Sequence, residues 1–187
     1  MRIGVFGGTF DPPHIGHLLA ASDAFEALSL DRVVWVPAAG QPLKSAIVAS
    51  PEDRLAMVRL LVEGDSRFSV DPIEIERGGL SFTVDTLRAL HERWKSDPSL
   101  ALVLLLGADA AASLPEWREP DAVIRLAEVI VLKRGEPGAP ARGRAIDTRT
   151  IDVSSTEIRD RVRVGLSIRG LVTEPVAAYI EGRRLYR

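Results

Sequence analysis

GGTFDPPHIGH, residues 7–17, holds two of the three histidines in a chain of 187 residues. It follows directly on the apolar run Arg2 to Phe6, and helical spacing takes over from Ile15 to Leu28. A short apolar run, a Gly-Gly turn and an amphipathic stretch predict a strand, a tight turn and a helix. In an open α/β sheet that turn lies at the carboxyl edge, where such sheets bind ligands. Gly7 and Gly8 let the backbone approach a ligand closely, and the first turn of the helix offers N–H groups to an anion. The stretch is not a Walker A loop, because no Gly-Lys-Ser/Thr follows, and it does not match Gly-x-Gly-x-x-Gly.

The same alternation runs along the chain. Arg32 to Val36, Leu102 to Leu106 and Glu128 to Leu132 are apolar at nearly every position, as strands covered on both faces are. Pro51 to Glu63, Val84 to Trp94 and Pro120 to Leu126 are predicted helices. Ser50-Pro51-Glu52-Asp53 supplies a capping serine, a first-turn proline and an aspartate to complete a capping box. Ser66 to Glu76 and Asp147 to Val153 are read as further strands, and Thr156 to Gly165 and Pro175 to Glu181 as helices. Strands alternating with crossover helices predict a central parallel sheet flanked by helices, with a helical C-terminus, in a single α/β domain over 1–187. The long connection from Pro37 to Pro51 is expected to cover a site. GEPGAPARGR, residues 135–144, reads as an exposed loop.

Composition narrows the function classes. With 46% hydrophobic and 27% charged residues the chain buries a core and is not a disordered segment. A net charge of -2 argues against partners held by general positive charge, nucleic acid included, so any anion site must be local. The absence of cysteine removes disulfides, thiolate metal sites and a cysteine nucleophile. MRIGVFGG ends too soon in glycine to be a signal peptide, and no stretch approaches the roughly 20 apolar residues of a membrane span. The expected location is cytoplasmic, with no membrane partner.

His14 and His17 lie on one helical face beside Asp11. The plain alternative is a helix cap and a half-buried polar residue. A zinc site needs about three or four ligands, and only Asp11 stands near as a third, so phosphate binding is the better use of both rings. DVSSTEIRDRVRVG, residues 152–165, is a second helix start, where Ser154 and Glu157 fit a capping box. Taken alone it reads as a well-capped surface helix with solvated arginines. Ser154, Ser155 and Thr156, with Arg159 one turn inside, can also bring backbone N–H groups, hydroxyls and a cationic fork onto an oligophosphate. Two phosphate-binding helix starts in one chain fit a nucleoside triphosphate.

GGTFDPPHIGH resembles the Thr/His-x-Gly-His signature of the nucleotidyltransferase superfamily, and VSSTEIR, residues 153–159, resembles its second phosphate-binding motif. Within that superfamily the chain is similar to the bacterial nicotinate-nucleotide adenylyltransferases over almost its whole length. VPAAGQPLK at 36–44, SPEDRLAMV at 50–58, RGGLSFTVDTL at 77–87, GADAAASLPEW at 107–117 and SIRGLVTEPVAAYIEGRRLY at 167–186 occur in the family's order.

The resemblance implies a Rossmann-like nucleotidyltransferase fold and adenylyl transfer. The phosphate of nicotinate mononucleotide attacks the α-phosphorus of ATP, giving nicotinate adenine dinucleotide and pyrophosphate. It further implies that His14, His17, Lys44 and Arg159 are catalytic, the histidines aimed at the triphosphate. Gly7, Gly8, Thr9, Phe10, Gly16, Gly107, Asp109, Ser155 and Thr156 would join them in binding ATP. On the acceptor side it implies Trp117 stacked on the pyridine ring, backbone amides near Thr83 and Thr86 receiving the ring carboxylate, and Asp109 and Lys44 nearby. Mg2+ would ride on the triphosphate, and the oligomeric state is left open, a homo-oligomer included. Trp117 has a half-buried core residue as its plain alternative, Asp109 a helix cap and Lys44 an ordinary loop lysine.

The chain departs from the family's pattern in places. Phe82 stands where tyrosine is frequent, QPLK replaces Pro-Pro-His-Lys, and Thr173 holds a proline position. Arg118 follows Trp117 where an aromatic is frequent, and its guanidinium is expected to complement the nicotinate carboxylate. The rival readings are a pantetheine-phosphate adenylyltransferase, an enzyme for nicotinamide mononucleotide, and a nucleotide- or RNA-binding module that keeps the fold without the reaction.

Overall fold

In the computed structural model, which describes residues 1–40, 47–133 and 143–187, the run opened by Arg2 becomes the strand around which the sheet is ordered. β1 (Arg2–Gly8), β2 (Arg32–Pro37), β3 (Phe68–Val70), β4 (Ala101–Gly107), β5 (Glu128–Lys133) and β6 (Arg144–Asp147) form one sheet in the order β3-β2-β1-β4-β5-β6. Every pairing is parallel. This order reverses direction between β1 and β4, so their carboxyl ends, Gly8 and Gly107, flank the crevice where doubly wound sheets bind ligands.

The helices are α1 (Ile15–Ala27), α2 (Pro51–Val62), α3 (Ile73–Arg77), α4 (Thr83–Arg93), α5 (Ala108–Ser113), α6 (Pro120–Leu126), α7 (Ser155–Arg163) and α8 (Glu174–Arg183). Side chains alternate along each strand. Phe6, Trp35, Leu105 and Ile130 therefore pack on one face with Ala21, Met57, Ile158 and Ile180 of α1, α2, α7 and α8. Val5, Val34 and Leu104 pack on the other with Leu87 and Leu90 of α4 and Val123 of α6. Strands apolar at every position and covered on both sides are what the sequence pattern predicts. Among the described residues, no helix is long and apolar enough to cross a membrane.

Two predicted strands are corrected. Ser66 to Glu76 yields only the three residues of β3, and Ile73–Arg77 turns helical. The Asp71 carboxylate accepts the Ile73 N–H at 3.0 Å, and Pro72 has no N–H to extend a ladder, so the chain turns there. The strand expected at Asp147 to Val153 is β6 and ends at Asp147. The Thr148 amide and hydroxyl both donate to the Lys133 carbonyl at 2.9 Å, and Arg149 then bonds Asp23 of α1, which takes the backbone away from the sheet. The predicted loop at 135–144 falls mostly outside the described residues, as do residues 41–46 of the long connection after β2.

At α2 the Ser50 hydroxyl accepts the Asp53 N–H at 3.1 Å as expected, but the Asp53 carboxylate does not close the box. It takes the Ser50 hydroxyl at 2.9 Å, the Tyr179 hydroxyl at 2.9 Å and Arg183 Nε at 3.1 Å, pinning α2 to α8.

Candidate active site

Phe10, at a φ of 51°, adopts the left-handed conformation that side chains other than glycine avoid. Its ring folds under the end of β1, where a Cβ on Gly8 would meet it at 2.8 Å, so any side chain at this position would displace the ring. Phe10 is buried against Phe6 and Trp35 and meets the His17 ring edge-on, centroids 5.2 Å apart. The next residue, Asp11, is buried with its carboxylate fully engaged. It accepts the N–H groups of Val48 (2.7 Å) and Ala49 (3.1 Å) and the Tyr186 hydroxyl (2.8 Å).

His14 caps α1 and is buried, while His17 is half-buried. The His14 backbone N–H donates to His17 Nδ1 at 3.2 Å, and the two rings lie 3.7 Å apart. A ring nitrogen that accepts carries no proton, so neutral His17 bears its proton on Nε2 and presents that N–H as a donor. The plain alternative for these residues, a cap and a half-buried polar group, is thus part of the device that orients the second ring. The helix start keeps fewer amides for an anion than the sequence suggests: Ile15 N–H donates to Leu171 O and His17 N–H to His14 O, each at 3.0 Å.

The structure brings the second motif onto the first. A Cβ on Gly16 would lie 3.0 Å from Val153 Cγ1, so the missing side chain lets α1 rest on the segment leading into α7. Ser154 Oγ caps α7 by accepting the Glu157 N–H at 3.1 Å. Ser155 Oγ donates to Pro12 O at 2.8 Å, Arg159 Nη1 donates to Asp11 O at 2.8 Å, and Nη2 donates to Thr156 Oγ1 at 3.1 Å. Imidazole, hydroxyl and guanidinium groups therefore gather beside the carboxyl end of β1.

Sequence reasoning missed Arg54. It is 0% exposed and donates to the carbonyls of Thr9 (2.8 Å), Ala38 (2.6 Å), Ala39 (2.9 Å) and Ala49 (3.3 Å), stapling the turns after β1 and β2 to the start of α2. Burial pushes its guanidinium below the ordinary value, and the Asp11 charge opposes that shift. The signal was available: Arg54 stands one helical turn from buried Met57 and Val58, on the face turned to the core.

On the acceptor side, Gly107 and Asp109 are exposed at the end of β4 and the start of α5. Trp117 is half-buried against the second core, and its Nε1–H donates to Ser113 Oγ at 3.0 Å. Thr83 opens α4. Thr86 is buried, and its amide donates to Phe82 O at 3.3 Å as part of the helix. The Arg118 guanidinium lies 4.9 Å above the Phe82 ring and donates to Asp85 at 3.3 Å, joining the Trp117 segment to α4. Lys44 lies outside the described residues.

The cytidylyltransferase-like family model matches residues 5–161, a span that holds both the 7–17 and the 153–159 segments. The probable nicotinate-nucleotide adenylyltransferase of Gemmatimonas aurantiaca is 49% identical over 100% of this chain and 93% of its own length. That of Opitutus terrae is 42% identical over 100% and 98%. Among solved structures, Plasmodium falciparum nicotinic acid mononucleotide adenylyltransferase complexed with NaAD superposes with a TM-score of 0.81 over 99% of this chain and 97% of that one. At 18% identity this last likeness is one of fold.

Proposed function

The chain belongs to the cytidylyltransferase-like family and, within it, to the nicotinate-nucleotide adenylyltransferases, and on that footing we propose that it transfers the adenylyl group of ATP to nicotinate mononucleotide. The supporting observation is the docking of the second motif on the first, with Ser155 and Arg159 bonded to the carbonyls of Pro12 and Asp11 beside the His14–His17 pair. The acceptor phosphate is already an anionic nucleophile, so the protein has to supply position and charge stabilisation rather than a covalent intermediate. One acceptor oxygen bonds to the α-phosphorus as the bond to the pyrophosphate oxygen breaks, and that electron pair leaves with pyrophosphate.

In this reading His14 and His17 face the triphosphate, and His17 Nε2–H meets the charge that develops there. Thr156, Ser155 and Arg159 hold the β and γ phosphates, and Gly7, Gly8, Thr9, Phe10, Gly16, Gly107 and Asp109 line the nucleotide. Trp117 stacks on the pyridine ring near Thr83, Thr86 and Arg118, with Lys44 as an added cation. The proposed partners are the two nucleotides, in the cytoplasm.

Enzymes of this family use a divalent metal with ATP, and Mg2+ is the ion proposed here. The residues fit an ion carried by the nucleotide, since two amides and a hydroxyl already engage the Asp11 carboxylate and phosphate oxygens with water suit magnesium. Bound there, it would neutralise charge on the departing pyrophosphate.

The test is pyrophosphate release by the purified protein with ATP and Mg2+, offering nicotinate mononucleotide, nicotinamide mononucleotide or phosphopantetheine at equal concentration. Strong preference for the first is expected. Preference for another acceptor overturns the roles given to Trp117, Thr83 and Thr86, and silence with all three favours a binding module.

A further inference from the structure

Glu74, on α3, is 7% exposed. Carboxylates are seldom buried unless they are paired, and this one is held chiefly by hydroxyls. Thr86 Oγ1 donates to Glu74 Oε1 at 2.6 Å, and the Ser81 hydroxyl stands close enough to the same carboxylate to favour its charged form. Burial pushes the Glu74 carboxyl above its ordinary value, and the two hydroxyls and the charge of Arg77 pull it back.

Each of those hydroxyls is itself oriented by a second bond. Arg77 Nη2 donates to Thr86 Oγ1 at 3.1 Å, so that hydroxyl has its proton and a lone pair assigned. Ser81 Oγ accepts the Ala39 N–H at 3.0 Å, the Ser81 N–H donates to Gly40 O at 2.8 Å, and Gly40 bridges Leu80. One buried carboxylate thus joins α3, the first turn of α4 and the backbone just after β2. Between its two hydroxyl partners lie Phe82, which carries the Arg118 guanidinium over its ring, and Thr83, the first residue of α4.

We propose that Glu74 is a positioning residue for the acceptor: through Thr86 and Ser81 it holds the Phe82–Thr83 segment in the register that receives the pyridine end of the acceptor nucleotide. This rests on the adenylyl-transfer reading above. A carboxylate is costly to bury for packing alone. Glu74 Oε1, however, accepts from the Thr86 hydroxyl, whereas a glutamine can turn an NH2 donor toward that hydroxyl. The consequence is selective, since the network contacts the acceptor segment and leaves the two phosphate motifs to Asp11, Ser155 and Arg159.

The experiment measures KM for nicotinate mononucleotide and for ATP separately, with a melting curve, for wild type, Glu74→Gln, Thr86→Val and Thr86→Ser. Glu74→Gln and Thr86→Val should raise KM for the acceptor about tenfold while KM for ATP stays within about twofold, because a small misplacement acts on the group it positions. Thr86→Ser, which keeps the hydroxyl, should restore the wild-type value. An equal rise in both KM values, or a lower melting temperature with both unchanged, overturns the proposal. If Glu74→Gln fails to fold, the Thr86→Val and Thr86→Ser pair gives the same readout. A wild type that releases no pyrophosphate with this acceptor overturns the adenylyl-transfer reading and this proposal together, whereas an active wild type with unshifted variants overturns this proposal alone.

Discussion

The Tyr186 hydroxyl donates to Asp11 Oδ1 at 2.8 Å across 175 residues of sequence, and both groups are buried. That carboxylate also holds the Val48 and Ala49 amides, and the Asp11 carbonyl receives Arg159. Four segments therefore meet at one aspartate. Burial and the Asp11 charge push the Tyr186 phenol far above its ordinary value, so it stays a donor at every working pH. Tyr186→Phe keeps the ring and removes the bond. It should lower stability by about 1–2 kcal/mol, with a higher KM for ATP as the turn after β1 loosens. Thermal denaturation and steady-state kinetics check this, and an unchanged melting temperature would show that the bond is not worth its geometry.

His17 is placed to donate from Nε2, because its Nδ1 is occupied by the His14 amide. Removing one preorganised donor to developing charge costs about a hundredfold to a thousandfold in turnover. His17→Ala should show a loss of that size in kcat with the circular dichroism spectrum retained. Near-normal turnover would take His17 out of the active site.

Asp53 provides a pH signature. Burial alone would raise its pKa, but hydrogen bonds from Tyr179, Ser50 and Arg183 outweigh that and hold it below the ordinary 3.8. A carboxylate with a depressed folded-state pKa stabilises the fold above 3.8 and loses that contribution as pH falls through the lower folded value. Asp53→Asn should therefore be less stable than wild type near neutrality, by about 1–3 kcal/mol. The gap should close in acid, as the wild-type carboxyl takes up its proton. Urea denaturation of both proteins across that range reads it out, and a gap that does not move with pH would assign the loss to packing.

Arg118 lies over the Phe82 ring, donates to Asp85 and stands 4.0 Å from the Glu119 carboxylate. If its charge also serves the nicotinate carboxylate, Arg118→Ala should reduce the ratio of kcat/KM for nicotinate over nicotinamide mononucleotide by about twofold to fivefold, in the range of an exposed charge pair that is partly shared. A competition assay with both acceptors measures the ratio. No change would confine Arg118 to holding the Trp117 segment against α4.

Much of the molecule was legible where the physics is local. β1, β2, β4 and β5 are apolar on both faces, and β1 in particular runs straight into Gly7 and Gly8, so strand, turn and helix could be read in one pass. His14, His17, Ser155 and Arg159 stood out because their residue types and spacing describe helix starts suited to phosphate, and the structure brings their two segments together. The reading of Ser66 to Glu76 as one strand failed because Asp71 and Pro72 end pairing by a side-chain bond and a missing donor, neither of which shows in apolar periodicity. Asp147 to Val153 failed because the position of β6 depends on its pairing with β5 and on Asp23 capturing Arg149.

The amino-acid sequence by itself determined the alternation that makes a parallel sheet and the two motifs that meet at its carboxyl edge, since both follow from the order of neighbouring residues. Tertiary structure alone decided that Arg54 would staple three turns, that Glu74 would collect two hydroxyls, and that Tyr186 would close on Asp11. Those contacts join separate elements of the fold and are stable only where the sheet and its helices remove the polar groups from water, so the local pattern does not name the partners.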